Sequence, residues 1–187
     1  MDLLTGATAA GADVWSTIAD EAASESPLWA SALRPEAERE PEPVFSPLGE
    51  ERFVLGLETI YEGYLLHYGR PRLFAAADRD TAVLLGDYLY AHGLVRIAAL
   101  GDVGVVADLA ELISLCAQLR AQSETARDGA LWAGVVALLG SGDPRLAEAR
   151  ADLREHGDSS SLEALAREAA GGEAVDRALV KHSRRVD

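Results

Sequence analysis

The residues best equipped for chemistry in this sequence are few and far apart. There is one cysteine, Cys116, and four histidines, His67, His92, His156 and His182, none close to another in the chain. A soft metal site needs several such ligands at short spacing, so each histidine reads as a helix-surface or partly buried polar residue. A serine nucleophile needs a strained, exposed turn of the GxSxG type. The nearest approach, Gly140-Ser141-Gly142, is explained more simply as the end of a helix. No glycine-rich phosphate loop of the P-loop or dinucleotide kind occurs. Two glutamates remain, Glu58 and Glu62. At i,i+4 they share one helix face and can hold one hard cation between them, although a solvated pair of helix glutamates is the commoner arrangement. Two arginines, Arg70 and Arg72, flank Pro71 and read as exposed loop residues.

The elements that must position these residues are helices. Val14, Trp15, Ile18 and Ala22 have helical spacing and predict a short helix over 12–24. Five prolines between residues 27 and 47 and the acidic stretch PEAEREPEP predict a linker. Phe53, Leu57, Ile60, Tyr61, Tyr64 and Leu65 then predict a helix from Glu50 to Tyr68, ended by Gly69 and Pro71. The next helix, over 80–100, is apolar all round, which predicts the centre of a bundle. Asp102 caps a helix to about Gln122, with Val105, Leu109, Leu112, Ile113, Cys116 and Leu119 facing inward and Asp108, Glu111, Gln118 and Gln122 facing away. Ser123 is a candidate cap for a helix to Leu139 that carries the small residues Gly129, Ala130, Ala133, Gly134 and Ala137. Asp143-Pro144 opens a short helix ended by Gly157, and Ser160 with Glu163 makes a capping box for another that stops at Gly171-Gly172. A last turn or two runs from Glu173 to about Lys181, and the basic tail KHSRR complements its C-terminal dipole. No alternating β-branched run is bounded by turns. The expected fold is all-α, with an N-terminal helix at 1–25, an acidic Pro-rich linker at 26–49 and a helical-bundle domain at 50–187.

Composition narrows the function classes. With 187 residues, 49% apolar and 26% charged, the chain is long enough for a core and ordinary enough to fold. Its 17 basic against 31 acidic residues give a net charge of −14, a field that repels phosphate backbones and anionic lipid. No nucleic-acid partner is expected. The strongly apolar run from Ala130 to Leu139 is half the roughly 20 residues a spanning helix needs, so no membrane span is expected. The N-terminus lacks the basic start and apolar centre of a secretion signal, which predicts a cytoplasmic address.

One segment carries a resemblance. AVLLGDYLYAHGLVRIAALGD (Ala82 to Asp102), with the amphipathic helix after it, resembles the middle of the trans-polyprenyl diphosphate synthase family. There, an AxLxGDxLxxxAxxxLA helix runs into a GD turn; Ala82, Leu84, Gly86, Asp87, Leu89, Ala91, Ile97, Ala98, Gly101 and Asp102 match. Upstream, GLETIYEGYLLHYGRP is similar to the family's LExIHxxSLIHDD helix through Glu58, Ile60, Leu65, Leu66 and His67. The resemblance spans about residues 50–140 and implies a truncated isoprenoid synthase bundle. Gly86 and Asp87 are its structural motif: the glycine permits close helix contact, and the aspartate can bond a polar group inside the bundle.

In that family, Mg²⁺ ions bound by two DDxxD motifs clamp an allylic diphosphate while it ionises. In one register, Tyr68-Gly69 stand where the first aspartate pair should begin. In the other, Glu58 and Glu62 fall on the first and last motif aspartates and Thr59 on the second. Both registers lack an adjacent pair, and no DDxxD follows residue 100. The resemblance therefore implies a non-catalytic or impaired subunit, a pseudoenzyme that associates with a catalytic prenyl synthase in isoprenoid biosynthesis, or a homodimer. No cofactor is expected for the chain alone; Mg²⁺ enters only with retained activity or a catalytic partner. Two alternatives stay open. One is a regulatory protein that binds an isoprenoid in an apolar pocket lined by Tyr64, Tyr88, Tyr90 and Trp132. The other is a prenyltransferase whose reduced diphosphate site is made by Glu58, Glu62, Arg70 and Arg72.

Overall fold

A computed structural model describes residues 5–124 and 127–186, with side chains from residue 14 onward. The described residues form an all-α bundle. Its helices are α1 (Thr5–Glu25), α2 (Pro27–Ala32), α3 (Val54–Tyr68), α4 (Arg79–Ala98), α5 (Val103–Ala121), α6 (Asp128–Leu138), α7 (Arg145–His156), α8 (Ser160–Ala170) and α9 (Gly172–Val186). Three single 3₁₀ turns lie between α2 and α3. Among the described residues the extended backbone pairs only once, at an isolated antiparallel bridge between Leu33 and Phe74. No described helix is long and apolar enough to cross a membrane.

Local chemistry sets most of the boundaries. Asp78 Oδ1 accepts from Thr81 N at the start of α4, Asp102 Oδ1 from Val105 N at the start of α5, and Asp143 Oδ1 from Arg145 N at the start of α7. Gly157 ends α7 in the left-handed region, φ 68°, which a side chain would strain. Helix α3 starts at Val54 and not at Glu50, α9 runs on to Val186 and not to about Lys181, and two predicted caps are not made. The predicted Ser160–Glu163 box is not formed: Ser160 is the first residue of α8, and its amide donates to Asp158 Oδ1. Ser123 does not cap α6, which starts at Asp128; Ser123 sits at φ 60° in the turn after α5.

The centre of the bundle also differs. From Gly56 to Leu66 every residue of α3 is buried, and α6 is buried along nearly its whole length. The helix expected at the centre, α4, instead lies at the edge. It buries Leu85, Gly86, Leu89, Gly93 and Ile97, one stripe at helical spacing, and turns Leu84, Ala91, Val95 and Ala98 outward. Apart from Asp87, the middle of its outer face is apolar as well, so the sequence shows no continuous polar stripe to reveal it.

Helices α3 and α4 pack through glycines. A Cβ on Gly63 would lie 2.8 Å from the Gly86 carbonyl oxygen, and one on Gly93 would lie 3.0 Å from the Gly56 carbonyl oxygen. The two pairs, seven residues apart on each helix, hold the antiparallel backbones in contact. On α6, Gly134 meets the Leu162 backbone of α8 in the same way, its Cβ position 2.9 Å from the carbonyl oxygen. The small-residue face of α6 is thus filled within the chain.

The segment expected to be a linker is a packed strap. Val44, Phe45 and Leu48 are core residues. Backbone bonds from Arg34 N to Leu73 O, Glu40 N to Arg72 O and Ala75 N to Ala32 O tie the strap to the α3–α4 loop. Its acidic residues meet the basic tail of α9: Lys181 Nζ lies 3.2 Å from Glu42 and Arg185 2.9 Å from Glu40. Two charged stretches that look unrelated in sequence are one contact. The first helix docks as well, burying Trp15, Ile18 and Ala22 with Leu66, Phe74, Leu85 and Leu89.

Candidate functional site

Glu58 and Glu62 project from one face of α3, as their spacing requires, but toward the protein interior. Between them lies the guanidinium of Arg72, carried in by the loop after α3. Glu58, Glu62 and Arg72 are each buried to within 2% of completely. Arg72 Nη1 is 2.5 Å from Glu58 Oε2, and Nε is 2.9 Å from Glu62 Oε2. The remaining capacity is used too. Nη1 also donates to the Glu42 carbonyl and Nη2 to the Glu58 carbonyl. Glu62 Oε1 accepts from the amides of Arg72 and Leu73, both at 2.8 Å, and Glu58 Oε1 accepts from the Ser46 hydroxyl. The guanidinium lies against the rings of Trp15, 4.5 Å to the centroid, and Tyr61, 4.9 Å. Burial alone would lower the Arg72 pKa; the two carboxylates more than reverse this and raise it, so the cation is held charged.

This overturns the reading of Arg72 as an exposed loop residue. Pro71 turns the chain inward, and the only way to bury a guanidinium at tolerable cost is to surround it with acceptors. Arg70, two residues earlier, is exposed; it donates from its amide to the Arg185 carbonyl and from Nη2 to the Arg184 carbonyl at 2.5 Å. The two arginines therefore do not converge. Nor do Glu58 and Glu62 fit a magnesium cluster, because their oxygens are occupied by Arg72, Ser46 and two backbone amides.

A second polar cluster, not read from the sequence, lies across α3 from the first. Asp128, in the first turn of α6, is buried with His182 of α9 and Tyr61 and Tyr64 of α3. His182 Nε2 is 3.0 Å from Asp128 Oδ1, and its Nδ1 is 2.9 Å from the Tyr61 hydroxyl. Asp128 Oδ2 accepts from the Tyr64 hydroxyl and faces Arg120 Nη2 at 2.5 Å. An ionised carboxylate only accepts, so Nε2 donates to Asp128. Burial pushes the Asp128 carboxyl up; His182, Tyr64 and Arg120 together outweigh it and hold the group below the usual carboxylate range. The cluster is roofed by aromatic rings, with Trp132 edge-on to Tyr61 at 5.1 Å and stacked on Phe45 at 5.6 Å. Tyr64 and Trp132, expected in a ligand pocket, are consumed by this packing. Tyr88 instead meets Trp29 and His92 at the surface.

The sequence did hold a signal for this cluster. Val175, Ala178, His182 and Arg185 recur at helical spacing along α9, and all four are buried. A histidine on the apolar stripe of an amphipathic helix needs a buried partner, and Asp128, opening the most apolar helix, is one.

Gly86 packs against Gly63 and also against His67, whose Nε2 lies 2.5 Å from its Cβ position. Asp87 points out of the bundle instead of into it. Its side chain is 65% exposed and 3.1 Å from His67 Nε2. His67 is stacked on Tyr90, and its burial lowers its pKa against the opposing pull of Asp87. Among the described residues no group of three or more His, Cys, Asp or Glu side chains gathers at metal-binding range. Comparison with family models, curated proteins and solved structures gives no significant match in any of the three.

Proposed function

We propose that the chain is a non-catalytic helical protein that works by association, and that its partner is a catalytic prenyl diphosphate synthase in isoprenoid biosynthesis. The partner class rests on the resemblance carried by Gly86, Asp87 and the helices around them. The observation that supports a non-catalytic role is the closure of Glu58 and Glu62 on Arg72. In the register that sets Glu58 and Glu62 on the first aspartate motif, those carboxylates carry a built-in organic cation, and their oxygens are already bonded. Arg72, bonded to both carboxylates, is likewise not free to hold a diphosphate, which supports the loss of both halves of a clamp on this face.

The test is prenyl elongation with Mg²⁺ and labelled isopentenyl diphosphate, run on this chain alone, on a catalytic synthase alone and on the two together. The expected result is no product from the chain alone and a changed rate or product length for the mixture. Turnover by the isolated chain overturns the non-catalytic reading, and an unchanged synthase with no copurification overturns the partner.

A further inference from the structure

We propose that residues 35–48 form a hinged strap that opens as a unit, ahead of the bundle, and that the ion pairs of Lys181 with Glu42 and of Arg185 with Glu40 are its latch. The inference does not rest on the function proposed above.

The strap is fixed at both ends and loosely joined between them. At one end Leu33 bridges Phe74, and Arg34 N donates to Leu73 O. At the other, Gly49 sits against α6, its Cβ position 2.9 Å from the Val136 carbonyl oxygen. Among the described residues, one backbone hydrogen bond joins the segment between these ends to the bundle, from Glu40 N to Arg72 O. The others it makes, such as Leu48 N to Phe45 O, close turns within the strap. So few backbone bonds to the surroundings define a separate opening unit. Pro35, Pro41, Pro43 and Pro47 fix φ along it and keep it extended, so it swings on its ends and does not unravel.

Two kinds of contact hold it shut. On the inside, Phe45 lies on the rings of Trp132, Tyr61 and His182, at 5.6, 5.4 and 5.2 Å between centroids, and the Ser46 hydroxyl donates to Glu58. On the outside, Lys181 Nζ lies 3.2 Å from Glu42 Oε1 and donates to the Pro43 carbonyl at 3.1 Å, while Arg185 Nη2 lies 2.9 Å from Glu40 Oε2. The Arg185 side chain is 7% exposed and its Nη1 has no hydrogen-bond partner. Its charge is therefore met by Glu40, whose side chain is 58% exposed, with Glu42 farther off at 3.9 Å.

Dissolved ions reach those carboxylates and screen them, whereas Arg72 and its two glutamates are closed to solvent. The latch is the part of the closure that salt weakens. Opening lifts Phe45 from the rings of Tyr61, Trp132 and His182, and takes Ser46 from Glu58 and the Glu42 carbonyl from Arg72. One movement thus uncovers both buried polar clusters.

The experiment is native-state amide hydrogen exchange of the full chain, read by NMR in about 0.1 M and about 1 M NaCl, on the wild type and on E40Q/E42Q. Both substituted side chains are about half exposed, and circular dichroism checks that the variant folds. The expected result is that the Glu40 and Leu48 amides exchange faster than those of Ile60 in α3 and Val135 in α6, and that high salt speeds them about fivefold or more. Arg34, beyond the hinge, should not follow. Ile60 and Val135 should hold or slow, because screening relieves the self-repulsion of a chain carrying −14. In E40Q/E42Q the Leu48 amide should exchange at low salt as fast as the wild type does at high salt, with no further response. Strap amides that exchange only as fast as Ile60 and Val135 overturn the separate opening. A strap that opens separately but ignores salt, or an E40Q/E42Q chain that keeps the salt response, overturns the latch.

Discussion

Gly63 of α3 and Gly86 of α4 meet so closely that a methyl group on the first would lie 2.8 Å from the carbonyl oxygen of the second. The neighbour is backbone and cannot swing away, so the two helices must part to admit the methyl. Alanine is favoured over glycine inside a helix by about 1 kcal/mol, yet overpacking costs about 1–3 kcal/mol. Tyr90 and Leu89 crowd the same methyl position at 3.1 and 3.3 Å, so the upper part of that range applies. We expect Gly63→Ala to lose about 2 kcal/mol net in urea unfolding. Gly86→Ala should lose less, because its nearest obstacle is the end of a side chain, the His67 ring, and the nearest backbone atom, the Gly63 carbonyl oxygen, is farther off at 3.2 Å. A Gly63→Ala protein as stable as the wild type would mean that the helices are not in backbone contact.

Arg72 gives a larger effect with a built-in control. Replacing it with methionine leaves Glu58 and Glu62 buried without their cation, and breaking a buried ion pair in this way costs about 3–5 kcal/mol. Neutralising the orphaned acids in the same chain, with Glu58→Gln and Glu62→Gln, should recover most of that loss. Urea melts of Arg72→Met and of the triple variant check this. If the triple variant is no more stable than the single, the acids were not charged in the folded protein.

The same residues show what could be read without coordinates. The helix boundaries at Asp78, Asp102, Asp143, Gly157 and Gly171 are local events, each set by a capping oxygen or a left-handed glycine, and they are visible in a few residues of sequence. The place of a helix in the bundle is not local. Helix α3 carries Glu58, Thr59 and Glu62 and still lies at the centre, because Arg72 arrives from ten residues beyond Glu62 to neutralise its acids. Helix α4 carries hardly a charge in its middle and still lies at the edge. Periodicity measures the polarity of a face, and here polarity and exposure are uncoupled on both helices. The strap fails for the same reason: prolines and glutamates suit a solvated linker until Lys181 and Arg185, from the far end of the chain, supply the countercharges.

Asp128 predicts the acid response. Its carboxyl titrates below the ordinary carboxylate range when folded, so the native state binds its proton less readily than the unfolded chain does. Its contribution is fully present above the unfolded carboxylate value of about 3.9. It is lost as pH falls through the lower folded value, where the unfolded state is already protonated. Urea midpoints measured between about pH 6 and pH 3 should therefore fall less steeply for Asp128→Asn than for the wild type. The variant should be the weaker of the two at neutral pH, since an amide cannot replace the carboxylate beside Arg120. Parallel curves for the two proteins would place the acid sensitivity elsewhere.

Magnesium supplies the sharpest check on the closed carboxylates. A metal site with a dissociation constant of about 0.1 mM would stabilise the folded chain by about 2 kcal/mol at about 5 mM Mg²⁺, and for a domain of this size that is a rise of about 4–8 °C in Tm. Because Glu58 and Glu62 already bind Arg72, Ser46 and two backbone amides, Mg²⁺ has to displace a guanidinium from an acceptor-filled pocket before it gains a single protein ligand. The expected thermal melt is the same with and without the ion, and the same again when a bisphosphonate is added with it. A magnesium-dependent rise that Glu62→Gln abolishes would show that Arg72 yields its place, and the carboxylate pair would return as a candidate metal site.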